Sequence, residues 1–189
     1  MRRRIAALAF IVSAFVNLGC GRDRIEPPDT VRPATPAGQA PEAFPKAGLF
    51  LDRPGNWPFH PGRPPLVASA SSGTATVALW RYLRSEPLPR DDAALAAAQQ
   101  SLEQAAKVRD ASFVLEEGRQ TEVDGAPAIE LLGTGTIAGQ KRRVRSTHVY
   151  AKGAEVVLDA YAPAQEFERV DKEVFAPIVA SLRIDPPQG

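Results

Sequence analysis

A chain of 189 residues with 44% hydrophobic and 24% charged side chains has room for one globular domain and some non-globular sequence beside it. Its 23 basic against 22 acidic side chains give a net charge of +1. That speaks against nucleic acid as a partner, since such binding draws on many phosphate-neutralising cations. A single cysteine, Cys20, excludes an internal disulfide and a thiolate zinc cluster.

Residues 1–19 read as an export leader. Arg2, Arg3 and Arg4 form a positive start, and Ile5 to Leu18, "IAALAFIVSAFVNL", is an apolar run broken only by Ser13 and Asn17. A membrane-spanning helix needs roughly 20 apolar residues, so the run fits a secretory core better than a span. Its end resembles a bacterial lipoprotein signal, in which a small residue precedes a cysteine that is thioether-linked to diacylglycerol. Gly19 and Cys20 match that pattern, while Asn17 and Leu18 depart from it. Cleavage is expected between Gly19 and Cys20, with lipid on Cys20; the alternative is an ordinary leader that uses Gly19 and Gly21 as its small residues. Two acyl chains would hold the protein on a membrane, where a single chain binds only marginally. The leader carries three of the basic residues, so without it the balance is 20 against 22, or −2.

Residues 20–46 are expected to be a lipidated cysteine and a disordered tether. "GRDRIEPPDTVRPATPAGQAPEAFPK" holds six prolines and few large apolar side chains, too little burial to repay the entropy of ordering. The globular domain is expected over 47–185, with 186–189 a disordered tail. Within it, "GLFLD" (48–52), "PLVASAS" (65–71) and "TATVALWRYL" (74–83) read as strands. "PLPRDDAALAAAQQSLEQAAKV" reads as a helix capped by Asp91, with Leu95, Ala98, Leu102 and Ala105 on one stripe.

A meander follows, with strands near 113–122, 127–137, 142–151 and 154–162. The turns are placed at Asp124-Gly125, Gly139-Gln140 and Lys152-Gly153. In the closing helix Phe167, Val170, Val174, Ile178 and Leu182 share a face, and Pro177 is expected to kink or divide it. This order predicts an α+β domain: an antiparallel sheet of about 6–7 strands flanked by helices.

Several stretches, in order, carry a likeness to a known family: "LDRPGNW", "VDGAPAIELLGTG", "KRRVRSTHVYAKGAEVVLDAYAP" and "FERVDKEVFAPIVASLRI". Over roughly 48–184 the chain resembles the PsbP/DcrB type, a fold shared with a Ran-binding nuclear import factor and with bacterial envelope lipoproteins. The resemblance implies an α/β/α sandwich and a non-catalytic, partner-binding or chaperone-like role. It brings no site residues with it.

No constellation identifies a reaction, and the chain is expected not to be an enzyme. His60 lies in a Pro/Gly-dense loop and His148 in mid-strand; neither has metal-ligand spacing, so no metal and no cofactor are expected. "GTGTIAG" (133–139) lies in a strand and lacks the Lys-Ser/Thr of a phosphate loop. Ser69, Ser71 and Ser72 lack a nucleophile elbow.

Two features suit binding. Alternation puts Lys141, Arg143 and Arg145 on one face, either a solvated hairpin or a patch for anionic lipid or acidic protein. Trp57, Phe59 and His60 sit in a loop stiffened by Pro54, Pro58, Pro61, Pro64 and Pro65, suited to recognition or to plugging the end of the sheet.

The expectation is an exported module, lipid-anchored in the cell envelope through Cys20, that binds an envelope protein. The alternative is a carrier of a small hydrophobic ligand or lipid in a groove between sheet and helix. Mass spectrometry of the mature protein should find an acylated Cys20 as its first residue, and Cys20→Ser should abolish the lipid mass. A free terminus at any other residue would overturn the anchor.

Overall fold

Strands that alternate inward and outward must bury one face, and here both faces of one sheet find a cover. The computed structural model describes residues 31–188; the leader, Gly19 and Cys20 lie outside them. The expected strands and helix appear as β2 (Leu49–Arg53), β4 (Leu66–Ser72), β5 (Ala75–Leu83) and α1 (Asp92–Arg109). The meander is β6 (Val114–Val123), β7 (Ala126–Ile137), β8 (Gln140–Ala151) and β9 (Ala154–Pro163). Three short strands join them: β1 (Ala40–Phe44), β3 (His60–Pro61) and β10 (Arg183–Ile184). The strands form a seven-stranded sheet ordered β3-β4-β5-β9-β8-β7-β6 and a three-stranded sheet ordered β1-β2-β10. All pairings are antiparallel, as expected for an α+β domain.

Turn chemistry sets the meander. Asp124-Gly125, Ala138-Gly139 and Lys152-Gly153 all have positive φ, the backbone that two-residue hairpins demand. The middle turn therefore falls one residue earlier than the sequence suggested. Asp91 caps α1, its carboxylate accepting from Ala94 N–H at 2.8 Å. Leu95, Ala98 and Leu102 of α1 pack on Ile129, Leu131 and Tyr150, covering one face of the large sheet.

The closing helix covers the other face. It runs as α2 (Ala164–Val170), a π-helical turn (Asp171–Phe175) and α3 (Ala176–Ser181). Pro177 has no N–H to offer the preceding turn, and the wider π turn ahead of it absorbs that loss. The helix is re-wound there, and Phe175 joins the expected stripe of Phe167, Val170, Val174, Ile178 and Leu182 in the core. Opposite them lie Val77, Leu79, Val149, Val156 and Leu158 of the sheet. The three-stranded sheet closes the same core with Leu49, Leu51 and Ile184.

Two expectations about disorder are corrected. From Val31 onward the tether belongs to the folded body: Thr74 N–H donates to Val31 O at 3.0 Å, Ala34 N–H to Ser72 Oγ at 2.9 Å, and Arg169 to Pro33 O at 2.9 Å. Residues 40–44 then pair with β2 along a free edge, where Pro41 is tolerated. The tail is held as well, Gln188 N–H donating to Pro45 O at 3.0 Å. Proline content masked the apolar anchor Phe44, which meets Phe59 edge-on at 6.0 Å.

Trp57 is 0% exposed, edge-on to Phe175 at 6.3 Å, and so ties the loop after β2 to the closing helix. Trp57→Ala should cost about 3–5 kcal/mol in urea unfolding. A loss under 1 kcal/mol would mean that the ring is not a core element.

Candidate functional site

The residues singled out for partner binding are mostly consumed by the fold. Trp57 and Phe59 are buried, so these two rings plug the core and are not presented to a partner. His60 is exposed and pairs in β3 with Ser69. The alternation of the basic hairpin holds, but the shared face is the one the closing helix covers. Arg145 is buried, its Nε and Nη2 donating to both Asp171 oxygens at 2.6 and 2.7 Å and its Nη1 to Glu130. Glu130, 3% exposed, also accepts from Arg119. Arg143 pairs with Glu116 and Glu168 and lies over the Phe167 ring, 4.8 Å from its centre. Lys141 alone of the three is exposed. These arginines fasten helix to sheet, because a charge taken out of water requires a partner.

A pocket of about 750 Å³ opens where the two sheets meet, beside the end of β5. Its wall is largely proline: Pro45, Pro61, Pro64, Pro65 and Pro187. Leu66, Val67 and Leu83 add apolar surface, and Leu83 at the rim is 79% exposed, a large hydrophobe left in water. Gly62 is required here, since a Cβ would come within 2.4 Å of the Leu66 side chain. Two cations, Lys46 and Arg81, complete the lining. Such a volume suits a small-molecule site, where roughly 300–1,000 Å³ is usual. Neither the pocket nor Arg81 was read from the sequence. The signal for Arg81 was there: alternation from Ala75 through Val77 and Leu79 sends it to the buried face.

A polar chain crosses the opposite face of the sheet, where sequence reading saw only an isolated histidine. His148 Nδ1 lies 2.7 Å from Glu155 Oε1, and Nε2 lies 3.0 Å from Ser146 Oγ, which donates to Asp159. The order serine, histidine, carboxylate has the outline of a nucleophile triad, but the proton runs the wrong way. Ser146 donates to the Asp159 carboxylate, so its hydrogen is not directed at His148. β8 is paired along both edges, so its own backbone N–H groups are engaged in the ladders. The chain joins the neighbouring strands β8 and β9. Among the described residues no cluster of three or more His, Cys, Asp or Glu is placed to hold a metal ion.

No family model matches the sequence, and no curated protein is similar to it. Solved structures are. The solution structure of cyanobacterial PsbP (CyanoP) from Synechocystis sp. PCC 6803 superposes with a TM-score of 0.61 at 11% identity, over 79% of this chain and 94% of that one. The chain has a PsbP-like fold. LpqN, involved in cell envelope biogenesis of Mycobacterium tuberculosis, gives 0.55 at 18% identity over 79% of this chain and 91% of that one. A protein of unknown function from Pseudomonas aeruginosa gives 0.51 at 14% identity, over 79% and 99%. At these identities the likeness is one of fold. Among the described residues of this PsbP-like chain, no helix is long and apolar enough to cross a membrane.

Burial raises the Glu155 pKa, but the hydrogen bond and charge of His148, with the charge of Arg84, outweigh burial and hold it below its ordinary value. A depressed carboxyl stabilises the fold above the unfolded-state pKa, about 4.3, and loses that contribution as pH falls through the lower folded value. The gap in urea midpoint between wild type and Glu155→Gln should therefore be widest at neutral pH and close as pH drops below about 4.3. A gap constant from pH 7 to 3 would contradict the pairing.

Proposed function

We propose that this protein is a non-catalytic module of the cell envelope, anchored through a lipidated Cys20, that holds an apolar ligand in the pocket beside β5. The pocket itself carries the reading: about 750 Å³ walled by prolines and aliphatic side chains, with an exposed leucine at its rim. Wet apolar surface costs free energy at roughly 25 cal/mol per Å², and a ligand that covers it recovers that cost. The leader-like sequence ending at Cys20 supports the location, and LpqN is a structural neighbour involved in envelope biogenesis. The site differs from the groove expected between sheet and helix, because the closing helix is packed tight there and the opening lies between the two sheets.

The protein-adaptor reading has less to stand on, since Trp57, Phe59 and Arg145 are inside the fold.

The neutral dye Nile red tests the pocket. Wild type should bind it saturably with a blue-shifted emission. Leu66→Trp, which fills the mouth, should weaken binding at least tenfold without moving the melting midpoint by more than about 4 °C. Absence of saturable binding to folded wild type would return the adaptor reading to first place.

A further inference from the structure

Arg81 is a cation buried to 8% exposure on the apolar side of a sheet, and no carboxylate among the described residues pairs with it. Its Nη1 donates to Ala47 O at 2.6 Å and Asp185 O at 3.3 Å, and its Nη2 to Lys152 O at 3.4 Å. Nε–H, also buried, has no acceptor. Carbonyl dipoles hold the group in place but leave its charge unneutralised, and burial holds its pKa below the ordinary guanidinium value. Arg145, equally buried, shows what compensation looks like here, with Glu130 and Asp171 both against it. Arg142 also lacks a carboxylate, but it bonds Gln140 at the β7–β8 hairpin and is no part of the pocket wall.

The pocket has the charge to match. Thirteen residues line it, two of them cations, Arg81 and Lys46, and none acidic. An uncompensated buried cation is costly, and a guanidinium's planar fork matches a carboxylate or phosphate. We propose that the pocket takes a single-chain amphiphile with an anionic head, the head drawn to Arg81 and Lys46 and the chain laid along the proline wall. This rests on the pocket being the ligand site, as proposed above. The shared chemistry of the head is an oxyanion, from a fatty acid or from a phosphate-headed lipid.

The test compares three ligands of one chain length on the full mature protein at pH 8: dodecanoate, dodecyl phosphate and the uncharged dodecanol, each displacing Nile red. At least one anionic ligand should bind tenfold or more tighter than dodecanol. Preference for dodecanoate points to a fatty acid as the natural occupant, and preference for dodecyl phosphate to a phosphate headgroup. Arg81→Gln should abolish that preference. Lys46→Met changes an exposed residue and should reduce the preference even if the Arg81 variant fails to fold. Equal binding of all three ligands to wild type overturns the anionic head and leaves the apolar pocket standing. Failure of all three, with no Nile red uptake, overturns the pocket itself.

Discussion

One buried guanidinium joins the ends of three chain segments where the two sheets meet. The carbonyls that Arg81 bonds belong to Ala47 in the turn after β1, Asp185 just past β10, and Lys152 in the β8–β9 turn. Backbone carbonyls at such ends require a donor or water. A long side chain ending in a planar, permanently charged guanidinium supplies donors to all three at once. The small sheet is thereby held against the large one at this end, and the space between them becomes a lined pocket.

Ion pairs do similar work on the far side of the core. The strip Lys141, Arg143, Arg145 looks like a surface in one dimension, since its charges alternate cleanly. Its partners are Glu116, Glu130, Glu168 and Asp171, which come from two strands and from the closing helix. Alternation gives the face of a strand; it cannot say whether a helix twenty or more residues later brings acids to that face. The charges therefore read correctly as a row and incorrectly as an accessible patch.

Local signals carried most of the fold. The hairpin dipeptides, the Asp91 cap and the stripe from Phe167 to Leu182 each have a mechanism within a few residues, and each element formed within a residue or a few of its expected place. What escaped was non-local. β1 and β10 exist because β2 offers them edges, and two- to five-residue strands leave little period to read. Trp57 and the proline loop were visible as rigid and aromatic, but rigidity serves a plug as well as a paratope. Its burial was decided by Phe175, more than a hundred residues away. The triad-like outline of Ser146, His148 and Glu155 arises the same way, from strands brought into register.

The prolines that obscured the small sheet explain the character of the pocket. Proline has no N–H, so a wall built from Pro45, Pro61, Pro64, Pro65 and Pro187 presents ring surface and few donors. Such a wall stays apolar at little cost, because few hydrogen-bonding groups there are left unsatisfied. It is also stiff, so little conformational freedom is lost when a chain lies against it. In the proposed site, polar recognition falls to the two cations at the pocket, one fixed by carbonyls and one exposed. A fixed charge sets where a head must sit, and an exposed one tolerates differences in what the head is. Selectivity in such a site comes from charge and placement, while chain length is read only loosely by a wall that makes no directional bonds.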